Sequence, residues 1–217
     1  MSRYNIDAED VFRRYASGER DFFGVNLKGC ALCKWNLSGA NLSDANLSGA
    51  DLSGANLSGA NLARSNLIAT KMNAVDLTYA DLYSTDLTHA DLRSANMTHA
   101  YLLGADLSSA NMNRANLTSA DLTGSSLNNA NLQNANLTDA MVIWVYLDGT
   151  DFTNADLTNA TLFDSYINNV KPKALNLLDT ISLLEITSLS DSNKEGTHLH
   201  NTTMPDGNII FDSIYLN

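Results

Sequence analysis

Apolar residues recur at every fifth position along most of the chain, and the positions between them are small or polar. The series runs from Leu27 to Ile167 without a single insertion. Two positions before each large apolar residue stands a small one, usually alanine, and the residue between them is mostly Asn or Asp. A period of five matches neither the α-helix, at about 3.6 residues, nor the β-strand, at about 2. Each group of five therefore needs its own bend, which the Ser, Thr, Gly and Asn residues that follow favour.

One large and one small apolar side chain in every five residues are too few for a single turn of chain to form a core. Stacked turns would share backbone hydrogen bonds and a continuous column of leucine side chains, as solenoid proteins do. The sequence therefore predicts a repeat domain with a narrow interior, in which alanine allows close approach of the backbone.

The unit Ala40-Asn41-Leu42-Ser43-Asp44 resembles the repeat of the pentapeptide-repeat family, and the resemblance covers residues 22–169. It implies an all-β solenoid, a right-handed quadrilateral β-helix with four repeats per coil and about seven coils stacked at ~4.8 Å. Residues 15–22 and 204–207 also resemble the ends of cyanobacterial members. That subgroup includes a regulator of heterocyst differentiation, which implies a regulatory role through contact with another protein.

The N-terminal segment is predicted to cover the first coil. Asp7 suits a helix N-cap and Gly18 a helix end, so a helix is expected over residues 7–17. Trp35 occupies an inward position where alanine is usual, which indicates a wider or distorted coil near this end.

The C-terminal segment is predicted to cover the other end. Residues 174–189 are apolar enough to pack as a helical or irregular cap. The sequence Pro205-Asp206-Gly207 favours a turn before an extended end at residues 209–211. The predicted units are an N-terminal capping helix at 1–21, the β-helix at 22–169, and a C-terminal cap and tail at 170–217.

Charge and cysteine content narrow the function. A net charge of −11 argues against a nucleic-acid binder, which needs a basic surface. Cys30 and Cys33 form a C-x-x-C pair, but without a second pair or a nearby histidine the spacing does not predict zinc or redox chemistry. Residues 1–20 do not resemble a signal peptide, and no apolar run approaches the roughly 20 residues of a membrane span. We expect a cytoplasmic protein without membrane contact or cofactor.

Residues twenty apart are expected to stack on the same face, so the surface can be read in columns. The column from Ser38 to Thr158 is an unbroken series of hydroxyl residues, which we interpret as hydrogen bonding between coils rather than as an ice-binding array. The face of Leu42 loses its polar residues in the later coils, and apolar clusters of this kind mark interfaces. The candidate interface residues are Tyr83, Tyr101, Leu103, Met141, Ile143, Trp144 and Phe163, with Tyr146 and Tyr166 around the next corner.

The sequence leaves three alternatives for what covers this surface. Residues 174–189 of the same chain would bury it, a second copy would form a homodimer, and an external protein partner would make it a binding site. Burial by residues 174–189 is favoured, and the homodimer and the external partner are equally weighted below it. We predict a protein-interaction scaffold that can serve a regulatory role, with no catalytic nucleophile and no phosphate-binding loop. A purely structural module of no discernible activity is one alternative.

A second alternative is an acidic mimic of nucleic acid, as in family members that bind DNA gyrase. Asp76, Asp81, Asp86 and Asp91 are predicted to place a carboxylate on all four sides of one coil, an acidic girdle. Between residues 26 and 169 the sequence has thirteen Asp, no Glu and six Lys or Arg, which is a moderate excess of negative charge. The long loops of gyrase-directed members are also missing, so mimicry is the less favoured hypothesis.

Overall fold

The computed structural model of this 217-residue chain describes residues 7–163, 165, 202–203 and 209–210. Helix α1 spans Ala8–Ala16, strand β1 (Met141–Ile143) pairs in parallel with β2 (Thr161–Phe163), and β3 (Thr202–Thr203) pairs antiparallel with β4 (Ile209–Ile210). The extended conformation predicted for Ile209 and Ile210 is confirmed. The predicted turn at 205–207 and the predicted cap at 174–189 lie outside the described residues.

Parallel pairs of residues twenty apart hold the repeat together. They run from Asp21 with Asn41 to Asn136 with Asp156, and they involve the position before each large apolar residue. Backbone hydrogen bonds alternate in direction, since the N–H of Leu82 donates to the next coil at 2.7 Å and that of Tyr101 donates to the previous coil at 2.9 Å. The predicted stacking of residues twenty apart is confirmed.

The interior consists of the two apolar positions of each pentad. The large residues from Leu27 to Leu157 are at most 3% exposed, and the small residues from Ala40 to Ala160 are buried to a similar degree. Leucine therefore fills the lumen while alanine brings the backbone close to it. The inward orientation predicted for both positions is confirmed.

The last residue of each pentad has a left-handed backbone. At this position every residue from Gly24 to Asn159 has a φ between +51° and +69°. The backbone then closes a turn, as where the N–H of Ala90 donates to the carbonyl of Leu87 at 3.0 Å. Nineteen of these residues are not glycine, yet none is β-branched, because a branched Cβ is the least tolerated at positive φ.

This conformation yields a test at Ser94, an exposed turn residue with φ +56°. Ser94→Val should lower the free energy of unfolding by roughly 1–2 kcal/mol, since a branched Cβ is less tolerated in the left-handed region than the unbranched Cβ of serine. Ser94→Asn is the matched control and should stay within about 0.5 kcal/mol, because asparagine tolerates that region. Urea unfolding of both variants checks this, and equal stabilities would contradict the backbone assignment.

Helix α1 packs against the first coil. Asp7 is its N-cap and accepts the N–H of Asp10 at 2.9 Å, as predicted. Val11 is fully buried, and the Tyr15 hydroxyl donates to the carbonyl of Ser38 at 2.8 Å. The helix predicted for residues 7–17 is thus confirmed, with its helical residues one shorter at each end.

Trp35 owes its place to this helix. Its ring is half-buried and lies against Phe12, with 5.2 Å between the ring centroids and an angle of 57°. The indole therefore fills space between the helix and the first coil, which explains why a bulky residue replaces the usual alanine.

Candidate interaction surface

The aromatic face comprises the outward residues of the pentads centred on Leu82, Leu102, Leu122 and Val142. The ladder aligns Asp81, Tyr101, Asp121 and Met141 in one column of this face. The second column, two residues further along each pentad, is Tyr83, Leu103, Thr123 and Ile143. The sequence therefore placed the candidate residues of this face in the correct columns.

The first half of the face is a tyrosine cluster, which consists of Tyr83, Tyr101 and Leu103. Their exposed fractions are 44%, 60% and 39%, respectively. Tyr83 and Leu103 stand above one another in the same column, and Tyr101 lies beside Leu103 in its pentad. Two phenol rings and one isobutyl group are thus presented together to solvent.

The second half consists of Met141, Ile143 and Trp144, and together with Tyr146 from the next face these residues form a tryptophan cluster. Met141, Trp144 and Tyr146 are 40%, 56% and 47% exposed, whereas Ile143 is half-buried. Trp144 occupies the left-handed corner position, with φ +55°. Tyr146 follows on the next face, where it pairs with Ser126.

One polar coil separates the two clusters. Asp121 and Thr123 lie between them, and the Asp121 carboxylate accepts the N–H of Thr123 at 3.0 Å. With coils about 4.8 Å apart, the gap is roughly one side chain wide. The prediction treated these residues as one continuous surface, whereas the structure shows two apolar clusters around a carboxylate.

The backbone also changes at the tryptophan cluster. In the other described pentads from Phe22 to Ala160 a direct hydrogen bond closes the turn, but the turn from Val142 to Val145 has none. The Ser165 hydroxyl instead accepts the Val145 N–H at 3.2 Å and donates to the Val142 carbonyl at 2.9 Å. A hydroxyl from the following coil thus opens the turn that carries Trp144, and this feature was not recognised in the sequence.

Of the two remaining candidate residues, Phe163 lies within the described range and Tyr166 does not. Phe163 ends strand β2, and its backbone pairs with Ile143. Tyr166 and the residues 174–189 that could bury the face lie outside the described residues.

The acidic girdle lies on one coil, as the column reading predicts, because Asp76, Asp81, Asp86 and Asp91 each bridge to residues twenty away. Each carboxylate accepts the N–H two residues further on, at 3.0 Å for the first three and 3.4 Å for Asp91. Asparagine makes the same bond in other coils, as Asn116 does with Thr118 at 3.1 Å. These four residues therefore have a structural role in their turns.

The girdle is also partly neutralised. The Arg93 guanidinium donates to both oxygens of Asp91, at 2.7 and 2.6 Å, and this hydrogen bonding lowers the pKa of the Asp91 carboxyl. Lys71 lies 4.0 Å from Asp51 on the same face. Asp51 and Lys71 are paired on neighbouring coils, so their opposite charges offset each other between coils.

The hydroxyl column is a hydrogen-bonded ladder. Thr98 donates to Asn96 in its own coil at 2.7 Å and accepts from Asn116 in the next at 2.9 Å. This bonding confirms the structural interpretation of the column. Beside it, Tyr79 and His99 stack with 4.8 Å between ring centroids and an angle of 9°, a pair that the sequence reading missed.

Features of other kinds of site are sparse in the described residues. Cys30 is half-buried and Cys33 is exposed, and both residues of the C-x-x-C pair are free thiols. Within the described ranges no group of three or more His, Cys, Asp or Glu is placed to hold a metal ion. The same residues contain no helix with the length and hydropathy that crossing a membrane requires.

Comparisons with known proteins agree with the repeat. The family described as pentapeptide repeats matches in 8 copies, over residues 21–59, 55–93, 76–114, 85–124, 115–154 and 142–170. A comparison with curated proteins finds no match.

Several solved structures are similar to the chain. HetL, a pentapeptide repeat protein involved in heterocyst differentiation regulation from the cyanobacterium Nostoc, is 26% identical, with 94% of this chain and 100% of HetL covered and a TM-score of 0.35. A pentapeptide repeat protein from the thylakoid lumen of Arabidopsis thaliana is 25% identical over 52% of this chain and 71% of its own, with a TM-score of 0.39. QnrB1, a plasmid-mediated fluoroquinolone resistance protein, is 18% identical over 70% of this chain and 78% of its own, with a TM-score of 0.47.

Since the family match extends from residue 21 to residue 170 and follows the same repeats as the backbone ladder, this chain belongs to the pentapeptide-repeat family, whose fold is a right-handed β-helix.

Proposed function

We propose that the protein is a non-catalytic interaction scaffold with a regulatory role, and that the aromatic face is its binding surface. The observation that supports this most is the exposure of Tyr101 and Trp144, at 60% and 56%, on a face that also presents Tyr83, Leu103 and Met141. Large apolar side chains gathered on one side of a soluble fold mark interfaces. Tyrosine and tryptophan are also the residues that contribute most to protein–protein binding.

The β-helix suits this role because it fixes the backbone that carries these side chains before a partner arrives. Tyr101 is tied on both sides by the ladder, to Asp81 and to Asp121. Its backbone N–H is bonded to Ala80, and its carbonyl accepts the N–H of Leu82. A surface held in this way loses little conformational entropy on binding.

The test is the double substitution Tyr101→Ser and Trp144→Ser. Both side chains are exposed, so stability should change by less than about 0.5 kcal/mol each, while partners recovered from the native host should be lost. Tyr79→Ser is the matched control, because Tyr79 is 63% exposed but lies outside the aromatic face. Pull-down from the native host together with thermal unfolding checks both effects.

The other outcomes separate the alternatives. A clear loss of stability in the double variant would mean that residues 174–189 cover the face, and a fall in molar mass by light scattering would identify a homodimer. If folding, mass and recovered partners all stay unchanged, the face is not an interface and the proposal is wrong.

Mimicry of nucleic acid is the competing function, and the four carboxylates of one coil are the observation in its favour. Against it, Asp91 is neutralised by Arg93. Asp76, Asp81 and Asp86 each use one carboxylate oxygen within their own turn. We therefore expect no inhibition of DNA supercoiling by gyrase at micromolar protein, and inhibition that disappears in Asp81→Asn would favour mimicry instead.

The proposal also covers the number of coils, the two end caps and the cellular location of the protein. About seven coils at residues 22–169 would form a rod on the order of 35 Å long, between an N-terminal cap at 1–21 and a C-terminal cap and tail at 170–217. The contacts of Val11 and Tyr15 with the first coil support the N-terminal cap. We place the protein in the cytoplasm, and a structural module without a partner is the weakest alternative.

A further inference from the structure

We infer that the occupant of the aromatic face is a basic protein segment, one that carries Lys or Arg side chains between apolar ones. This inference rests on the proposed function, since it names the partner of the same surface. It is carried by the way in which charge is distributed around the β-helix.

From residue 65 onward, the positive charge of the described repeat is confined to one face. Between residues 65 and 163 the Lys and Arg residues are Lys71, Arg93 and Arg114. All three belong to pentads two steps further along the coil than those of the aromatic face, and therefore lie on the opposite side of a four-sided helix. The aromatic face and both faces beside it carry aspartate and no Lys or Arg in this range.

Carboxylates are placed within the aromatic face itself. Asp81 and Asp121 flank Tyr101 in its column, one coil below and one coil above. Each uses one oxygen for a turn, to the N–H of Tyr83 and of Thr123, both at 3.0 Å. Neither forms a salt bridge within the part of the chain that the structure describes. A partner thus meets two carboxylates that have no salt-bridge partner among the described residues, beside exposed aromatic rings.

Arg64, a cation beside the aromatic face, already has a partner. Arg64 lies at the edge of the aromatic face, one coil before Tyr83, and its guanidinium donates to both oxygens of Asp44, at 3.1 and 2.8 Å. Asp81 and Tyr83 also act electrostatically on Arg64 and contribute to raising its pKa, behind the larger effect of Asp44. Arg64 therefore has Asp44 as its hydrogen-bonded partner, and its electrostatic effect on Asp81 is weaker.

These features fit a basic segment better than the other occupants. Lysine or arginine can pair with Asp81 and Asp121 while lying over the rings of Tyr101 and Trp144, a cation–π arrangement. Apolar side chains of the same segment can cover Leu103. A symmetric dimer would bring the carboxylates of two copies together, and like charges across an interface are unfavourable. Nucleic acid would be repelled for the same reason.

The test uses Trp144 as its own reporter. The chain has two tryptophans, so Trp35→Phe leaves Trp144 alone. Three 14-residue synthetic peptides are titrated into this full-length protein, one alternating arginine and leucine, one with glutamate in place of arginine, and one with serine in place of leucine. The arginine–leucine peptide should change the Trp144 emission, with an affinity at least about tenfold above that of either other peptide. Its binding should weaken as salt is raised.

Isosteric variants then identify the carboxylates responsible. Asp81→Asn with Asp121→Asn should lower the affinity for the arginine–leucine peptide by at least about fivefold, because two ion pairs are lost. The turns should survive, since Asn61 makes the same turn bond to Ala63 at 2.9 Å. Asp86→Asn with Asp106→Asn is the matched control on the neighbouring face and should change affinity by less than about twofold.

Each contrary result has a distinct meaning. If the glutamate–leucine peptide binds equally well and Tyr101→Ser with Trp144→Ser abolishes both, the face is an interface but its charge does not select a basic partner. If the protein instead self-associates through these two residues, a second copy is the occupant and the inference also fails. If no peptide binds, or if the serine variants bind as before, the inference and the proposed function fail together.

Discussion

Leu107→Ala should lower the free energy of unfolding by about 2–5 kcal/mol, the range for a leucine removed from a packed core. Leu107 is fully buried and stacks in the lumen between Leu87 and Leu127. The cavity should not collapse, because the backbone of Leu107 is fixed by a hydrogen bond of 2.7 Å to Ser126 in the next coil. Neighbouring coils are likewise held at their spacing, so the lost contacts are not replaced.

Guanidinium chloride unfolding measures this effect, and Leu103→Ala is the control. Leu103 is 39% exposed on the outer side of the same repeat, so its truncation should cost less than about 1 kcal/mol. Equal costs for Leu107 and Leu103 would mean that the leucine column is not the source of stability.

Ala100→Leu should destabilise the protein by about 1–3 kcal/mol, although it adds apolar surface. Ala100 is 1% exposed and lies in the lumen between Ala80 and Ala120, which are fully buried. Leucine there would need space that the column of alanines does not provide, so either side chains or the backbone ladder must shift.

The control for overpacking is Ala31→Leu. Ala31 is exposed and pairs with Asp51 in the ladder, so a larger side chain at this site extends into solvent and should change stability by less than about 0.5 kcal/mol. Thermal unfolding of the two variants is sufficient. An Ala100→Leu variant as stable as the parent would show that the lumen is wider than the alanine column indicates.

The fold was predictable because a single rule repeats in every pentad. Leu82 and Ala80 are buried for the same reason as Leu42 and Ala40, and the period directly gives the partner twenty residues away. The backbone conformation was harder to predict from the sequence. A left-handed φ at Gly59 follows from glycine itself, but at Trp144 or Tyr79 only the shared position in the pentad reveals it.

The candidate site was predictable as a set of columns but not as a surface. Column membership follows from arithmetic, and the exposure of Tyr101 and Trp144 agrees with it. Contacts between segments far apart in sequence do not follow from the period. The packing of Trp35 on Phe12, for example, depends on side-chain shape. The period does place Ser165 beside Val145, twenty residues earlier, but it does not show that the Ser165 hydroxyl replaces the direct hydrogen bond of that turn.

The unbroken register of the repeat has a consequence for changes in chain length. Because each pentad forms one side of a coil, deleting five residues between Leu103 and Met141 would turn everything after the deletion by one quarter of the circumference. The tryptophan cluster would then move to the adjacent side, away from the tyrosine cluster. Deleting twenty residues would shorten the rod by one coil without any rotation. The length of an insertion or deletion therefore sets the angle by which the following coils are rotated relative to the preceding ones. Only multiples of twenty residues keep the faces before and after the change aligned.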